Sequence, residues 1–216
     1  MLNLDKSWDP IKELLNERFR NLPNTQYLPE KKDIFNVFKM PISKIKVVIL
    51  GQDPYPTEGY AMGYAFAVPK GKEIPKSLNE IKKVINNNED PKWQTLEHWI
   101  KSGVFLLNTA LTVEIDNAGS HLKFWKNFTK EVIKYISIEH PCIWMLWGVK
   151  AKKFKKYICE PKEVSSEKDI EGISIKDKKN YILEAPHPAR GNGFRKYGHK
   201  NFFYANKILG KEKIKW

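Results

Sequence analysis

Four short runs along the chain are almost wholly apolar and rich in β-branched or aromatic residues: Ile45-Lys46-Val47-Val48-Ile49-Leu50, Gly103-Val104-Phe105-Leu106-Leu107, Cys142 to Trp147, and Tyr181-Ile182-Leu183. Runs of this length without polar alternation suit strands buried on both faces, as in a parallel sheet. Between them the spacing changes to that of helices. Leu78, Ile81, Val84 and Ile85 recur at helical intervals behind Ser77-Leu78-Asn79-Glu80, which reads as a capping box with Ser77 as N-cap. Phe124, Phe128, Glu131 and Tyr135 share a helical row, which Trp125, Val132, Ile133 and Ile136 widen into an apolar face. The alternation predicts a three-layer α/β/α sandwich around a central four-stranded parallel sheet. One stretch breaks the pattern. Residues 160–180 are polar and charged, and read as an exposed excursion or hairpin inserted into a single domain spanning 1–216.

Composition adds a partner to this picture. The 216 residues hold 38 Lys+Arg against 25 Asp+Glu, a formal charge of +13, which favours a polyanion such as nucleic acid. A lysine-rich surface serving solubility alone is the blander explanation. The two cysteines suggest no secreted disulfide framework, and Cys142 in its apolar run reads as an inert buried thiol. The start Met1-Leu2-Asn3-Leu4-Asp5-Lys6-Ser7 lacks the pattern of a leader, and no run reaches membrane-spanning length. The expectation is an intracellular protein, cytoplasmic or nuclear depending on host, without membrane association.

Polar residues able to do chemistry follow the apolar runs. Gly51-Gln52-Asp53-Pro54-Tyr55 succeeds the first, Asn108-Thr109 the second, Gly148 the third, and Pro186-His187-Pro188 the fourth. Ligands of open α/β sheets bind beyond the carboxyl ends of the strands, so these residues predict one shared site. The histidines His98, His121, His140, His187 and His199 show no recognised metal-ligand spacing, so no metal site is read.

Taken together, Gly51-Gln52-Asp53-Pro54-Tyr55, Phe66, Leu106-Leu107-Asn108-Thr109 and His187-Pro188 resemble the signature motifs of the family 1 uracil-DNA glycosylases. The likeness runs from about Ser7 to Leu209 and includes Asp33-Ile34-Phe35-Asn36-Val37-Phe38 and Ala185-Pro186-His187-Pro188. It implies a base-excision repair enzyme that flips uracil out of DNA, hydrolyses its glycosidic bond and leaves an abasic site. Asp53 would stabilise the cationic sugar and orient water, although an Asp before Pro54 also suits a turn. His187 would donate to uracil O2 as the base leaves as an anion. Asn108 would read O4 and N3–H, and Tyr55 would exclude the thymine methyl. Phe66 would stack on the ring and Gln52 would contact the base edge through its backbone. No cofactor is implied, because water is the nucleophile.

For DNA itself, the resemblance points to Ser77, Lys150, Arg190, Asn192, Arg195 and Lys196, with Arg190, Arg195 and Lys196 in a basic cluster that continues to His199 and Lys200. A solvated charged face accounts equally for that stretch, and a helix cap for Ser77. The implied partner is uracil-containing DNA, single- or double-stranded, bound by a monomer, with a proteinaceous inhibitor or a replication protein as further partners.

Three positions depart from the family pattern. Pro56 stands where a histidine usually ends the first motif, and Val149 where a serine follows Trp-Gly. The loop His187-Pro188-Ala189-Arg190-Gly191-Asn192 has Gly where the wedging leucine would stand, leaving Arg190 or Phe194 as the wedge, or weaker extrusion with single strands preferred. The Tyr-Pro pair and the Ala-Arg loop also resemble the divergent poxvirus-type enzymes. The alternative is therefore a glycosylase-fold DNA-binding or replication-processivity subunit with weak or no catalysis.

Overall fold

The computed structural model describes residues 4–85 and 93–216; the first three residues of the start read for a leader lie outside it. In chain order the strands are β1 (Tyr27–Leu28), β2 (Val47–Gly51), β3 (Val104–Asn108), β4 (Val113–Glu114), β5 (Ile143–Trp147), β6 (Lys162–Val164) and β7 (Tyr181–Ala185). The helices are α1 (Lys12–Arg20), α2 (Lys76–Ile85), α3 (Glu97–Lys101), α4 (Leu122–Glu139), α5 (Gly148–Lys152) and α6 (Asn192–Leu209). Every long apolar run is a strand, and all pair in parallel in the order β3-β2-β5-β7-β6.

The sheet has five strands rather than four. The fifth is β6, which lies inside the polar stretch 160–180 and pairs in parallel with β7, Lys162 opposite Tyr181 and Val164 opposite Leu183. Parallel pairing rules out a hairpin there. Only Val164 of its three residues is buried, so the segment carries no apolar run. An edge strand needs its backbone paired on one side alone and tolerates such exposure.

Side chains alternate across the sheet with the two-residue period of a strand. Val47 and Ile49 join Leu78, Ile81, Phe194 and Phe202 on one face, where α2 and α6 pack. Val48 and Leu50 join Trp8, Trp125, Phe128 and Val132 on the other, against α4. Fully burying each such Val, Leu or Ile contributes about 1.5–3 kcal/mol. One buried polar residue ties the far ends together. Asn180 accepts from the Cys142 N–H and from Trp144 Nε1 at 3.2 and 2.9 Å, and donates to the carbonyls of Ser137 and Cys159.

The capping box expected at Ser77 does not form. Helix α2 begins one residue earlier, and both members of the pair have tertiary partners instead. The Ser77 hydroxyl meets the Tyr55 hydroxyl at 3.1 Å, while Glu80 is bound by Lys83 at 2.9 Å and by Arg195 of α6. Glu80 thus bolts α2 to α6. Among the described residues, no helix is long and apolar enough to cross a membrane.

Candidate active site

The carboxyl ends of β2, β3, β5 and β7 bring the predicted residues to one edge, as parallel strands in register must. Gly51 ends β2 directly opposite Asn108, the last residue of β3. Their approach is so close that a Cβ at Gly51 would stand 2.2 Å from Asn108 Oδ1 and 2.8 Å from the Ala65 Cβ. Only glycine fits. Beyond the strands the ladder continues, with the Thr109 N–H donating to Gly51 and the Ala110 N–H to Gln52. The Thr109 hydroxyl also donates to the Gln52 carbonyl at 2.7 Å, which fixes the backbone leading into Asp53.

Asn108 is 6% exposed, and its Oδ1 is buried without a hydrogen-bond partner. A buried acceptor left unsatisfied costs about 1–3 kcal/mol.

Asp53 is held at both oxygens. Gln52 Nε2 donates to Oδ1 at 3.1 Å, and the Gly119 N–H donates to Oδ2. Burial raises its pKa above the ordinary carboxylate value, while these two donors and the charge of Lys150 oppose the rise. Gly119 belongs to the loop after β4, whose geometry is set from below. The Trp125 indole donates to Thr112 Oγ1 at 2.7 Å, and that hydroxyl lies 2.9 Å from Nδ1 of the buried His121. Pro56, at the position where the family carries histidine, accepts from the Asp116 N–H through its carbonyl and so anchors the same loop.

Phe66 is nearly buried and adopts φ 67, a left-handed conformation that costs a bulky residue free energy. Its segment is fixed on several sides. The Ala65 N–H donates to Leu106, the Tyr55 hydroxyl to the Phe66 carbonyl, and the Tyr64 hydroxyl to the Asn36 carbonyl. The stretch Asp33–Phe38 is therefore a brace for this loop. The ring of Phe66 lies 5.7 Å from Trp147 and 6.3 Å from His187. Burial pushes the pKa of the Tyr55 phenol up to about 12, against the Ser77 hydrogen bond, which lowers it.

His187 follows β7 and begins the single turn Pro188–Arg190. Its Nδ1 accepts the Ala189 N–H at 3.1 Å. Burial, and then the charge of Arg190, hold its pKa below the usual histidine value. The ring is thus neutral near pH 7, and with Nδ1 accepting, its single proton is on Nε2. Gly148 permits this placement, because a Cβ there would meet His187 Cβ at 2.7 Å.

Asn108, Gly51, Ala65, Phe66, His187 and Gly148 therefore form one chain of contacts, and Lys150, two residues beyond Gly148, acts on Asp53 through its charge. The DNA-facing candidates divide. Lys150, Arg190 and Lys196 are exposed, as are His199 and Lys200. Ser77 is buried and engaged with Tyr55; Arg195 is bound by Glu80, and Asn192 accepts from Arg195. Phe194 cannot serve as a wedge. Its side chain is fully buried, 5.1 Å from Trp147 and folded over Gly198 one turn along α6. Two contributors lay outside the sequence expectation: the Gly119 N–H and Trp147, whose indole is fixed by Asn201 at 2.8 Å.

Comparison with known proteins bears on the whole arrangement. The family model of the Uracil DNA glycosylase superfamily matches residues 39–209. The chain is 39% identical over 218 residues to a uracil-DNA glycosylase of Fusobacterium nucleatum subsp. nucleatum, covering 95% of this chain and 87% of that protein. It is 38% identical over 216 residues to one from Geobacillus sp. (strain WCH70), covering 95% and 88%. Among solved structures it is similar to mimivirus uracil-DNA glycosylase, with TM-score 0.71 and 30% identity over 87% of this chain and 70% of that one. The chain belongs to the uracil-DNA glycosylase superfamily.

Proposed function

We propose that this protein excises uracil from DNA by hydrolysing the bond between the deoxyribose C1′ and uracil N1. The observation that carries the reading is the unsatisfied, buried Oδ1 of Asn108, which uracil N3–H would satisfy while the amide Nδ2 donates to O4. Cytosine offers an acceptor at N3 and a donor at the 4-position, so both contacts would be mismatched. The lining fits a pyrimidine: Phe66 supplies an aromatic face, and Tyr55 is locked by its two hydrogen bonds against the space beside C5.

Chemistry follows from the charge that develops. As the C1′–N1 bond lengthens, its electron pair moves to the base and spreads onto O2, while the sugar becomes cationic. Neutral His187 presents Nε2–H to the anionic oxygen without having to transfer its proton. Asp53 supplies negative charge beneath the sugar, held in place by Gln52 and Gly119. Water then adds to C1′, and the proton it sheds balances the charge of the uracil anion, which leaves the abasic site plus free uracil. Base extrusion costs a few kcal/mol, and Arg190, exposed on the turn after His187, would occupy the gap. No observation favours a purely structural DNA-binding subunit, since both charge-stabilising groups keep their supporting hydrogen bonds.

The test uses labelled oligonucleotides carrying one uracil opposite guanine, opposite adenine or unpaired, with thymine and cytosine strands as controls. Uracil release from the uracil strands alone is the expected result. Tight DNA binding with no release in any context overturns the proposal.

A further inference from the structure

Beside the site, a groove of about 1090 Å³ opens between the start of α4 and the segment from α5 to Pro161. It begins at Thr109 and Lys150, the residues next to Asn108 and closest in charge to Asp53, so it continues directly from the uracil site. Its walls carry seven lysines. Two are neutralised locally, Lys152 by Glu184 and Lys155 by Glu163 and Glu184. The other five, Lys123, Lys126, Lys150, Lys153 and Lys156, are exposed and form no ion pair among the described residues. Five like charges around one concavity repel one another, so the groove favours an anionic occupant that replaces its counterions.

The same walls hold two half-buried aromatic rings, Phe154 and Tyr157, 5.9 Å apart. Lys156 and Lys130 approach the Tyr157 ring at 5.2 and 5.8 Å. Lysines that follow a phosphate backbone, interleaved with rings on which bases can stack, are what an unpaired strand requires. A duplex hides its base faces and gains nothing from the rings.

Resting on the uracil-excision reading, we propose that this groove binds the single-stranded flank of the DNA substrate and so extends the footprint beyond the flipped nucleotide. The grip comes from sequence-independent phosphate contacts along the lysines of the groove. It offsets the loss of side-chain reach at Gly191.

The experiment compares the wild type with the triple variant Lys126→Gln/Lys153→Gln/Lys156→Gln. All three side chains are exposed, and none belongs to the uracil site. For a single strand of about twenty nucleotides with a central uracil, KM should rise on the order of tenfold, and the salt slope of binding should fall by about 2, at roughly 0.7 per phosphate contact. A substrate with only one nucleotide on each side of uracil should be cleaved with unchanged kcat/KM. An unaltered KM and slope on the long strand overturns the proposal, as does an equal loss on long and short substrates. A loss on duplex as large as on the single strand overturns the unpaired-strand assignment. Failure of the wild type to release uracil even from the short substrate counts instead against the glycosylase reading.

Discussion

Replacing Asn108 by alanine separates the cost of a binding site from its use. In the free protein, Asn108 Oδ1 is a buried acceptor with no partner, so deleting it relieves about 1–3 kcal/mol of desolvation cost. Against that stands the loss of the van der Waals contacts that the buried amide makes beside Gly51. The net effect on folding is expected to be neutral or favourable, with Tm unchanged or raised by up to about 4 °C for a chain of this size. Activity should move the opposite way. Two hydrogen bonds to the base disappear, and N3–H and O4 are left unpaired in a closed site, at about 1–3 kcal/mol each. The summed loss of about 2–6 kcal/mol corresponds to a fall in kcat/KM of roughly 30-fold to 10⁴-fold. Thermal melting and uracil release from a single-stranded oligonucleotide measure the two effects on one preparation. Discrimination between uracil and cytosine should also weaken. A drop in Tm of many degrees would mark Asn108 as structural, and activity within about threefold of wild type would remove it from base recognition.

Further outcomes follow from neighbouring residues. Gly51→Ala should displace the Asn108 amide, since the new methyl group would stand 2.2 Å from its oxygen; a loss of activity similar to that of Asn108→Ala, with a stability cost of about 1–3 kcal/mol, is expected by melting and kinetics. Protonation of His187 at Nδ1 would remove the acceptor for the Ala189 N–H that orients the ring, and its pKa is held down by burial and then by Arg190. The acid limb due to His187 in the single-turnover rate should therefore lie below the ordinary histidine value and move upward in Arg190→Gln; a limb that stays put detaches His187 from the rate. Arg195→Gln should cost about 1 kcal/mol at neutral pH, because Lys83 still serves Glu80 and Arg195 is partly exposed. Glu80 has its pKa lowered first by the Lys83 hydrogen bond and also by Arg195, so this stability is present above the ordinary glutamate value and is lost as pH falls through the lowered one. Equal melting of the two proteins at pH 7 contradicts it.

The sequence was readable wherever burial forced a simple pattern. Strands covered on both faces must be apolar throughout, so β2, β3, β5 and β7 stood out, and the chemistry at their ends followed from parallel topology. Strand β6 was not readable, because an edge strand with one buried residue in three leaves no periodic trace. At Ser77 the local pattern was correct for a cap, yet Tyr55 and Arg195 from elsewhere in the fold, and Lys83 one turn along α2, took up its two members. The Gly119 contribution is a backbone N–H, which no side-chain motif can announce. Phe194 looked available as a wedge beside a polar loop; Gly198 four residues later was the sign that its ring folds back onto the helix.

The measurement that bears most directly on uracil excision is single-turnover release of free uracil from single-stranded DNA by the wild type and by Asp53→Asn. The substitution keeps the shape of the side chain and removes the charge beneath the sugar. Uracil release by the wild type, slowed by about 10² or more in the variant while DNA binding persists, is the expected result. Release at equal rates from both proteins, or from neither, contradicts the account.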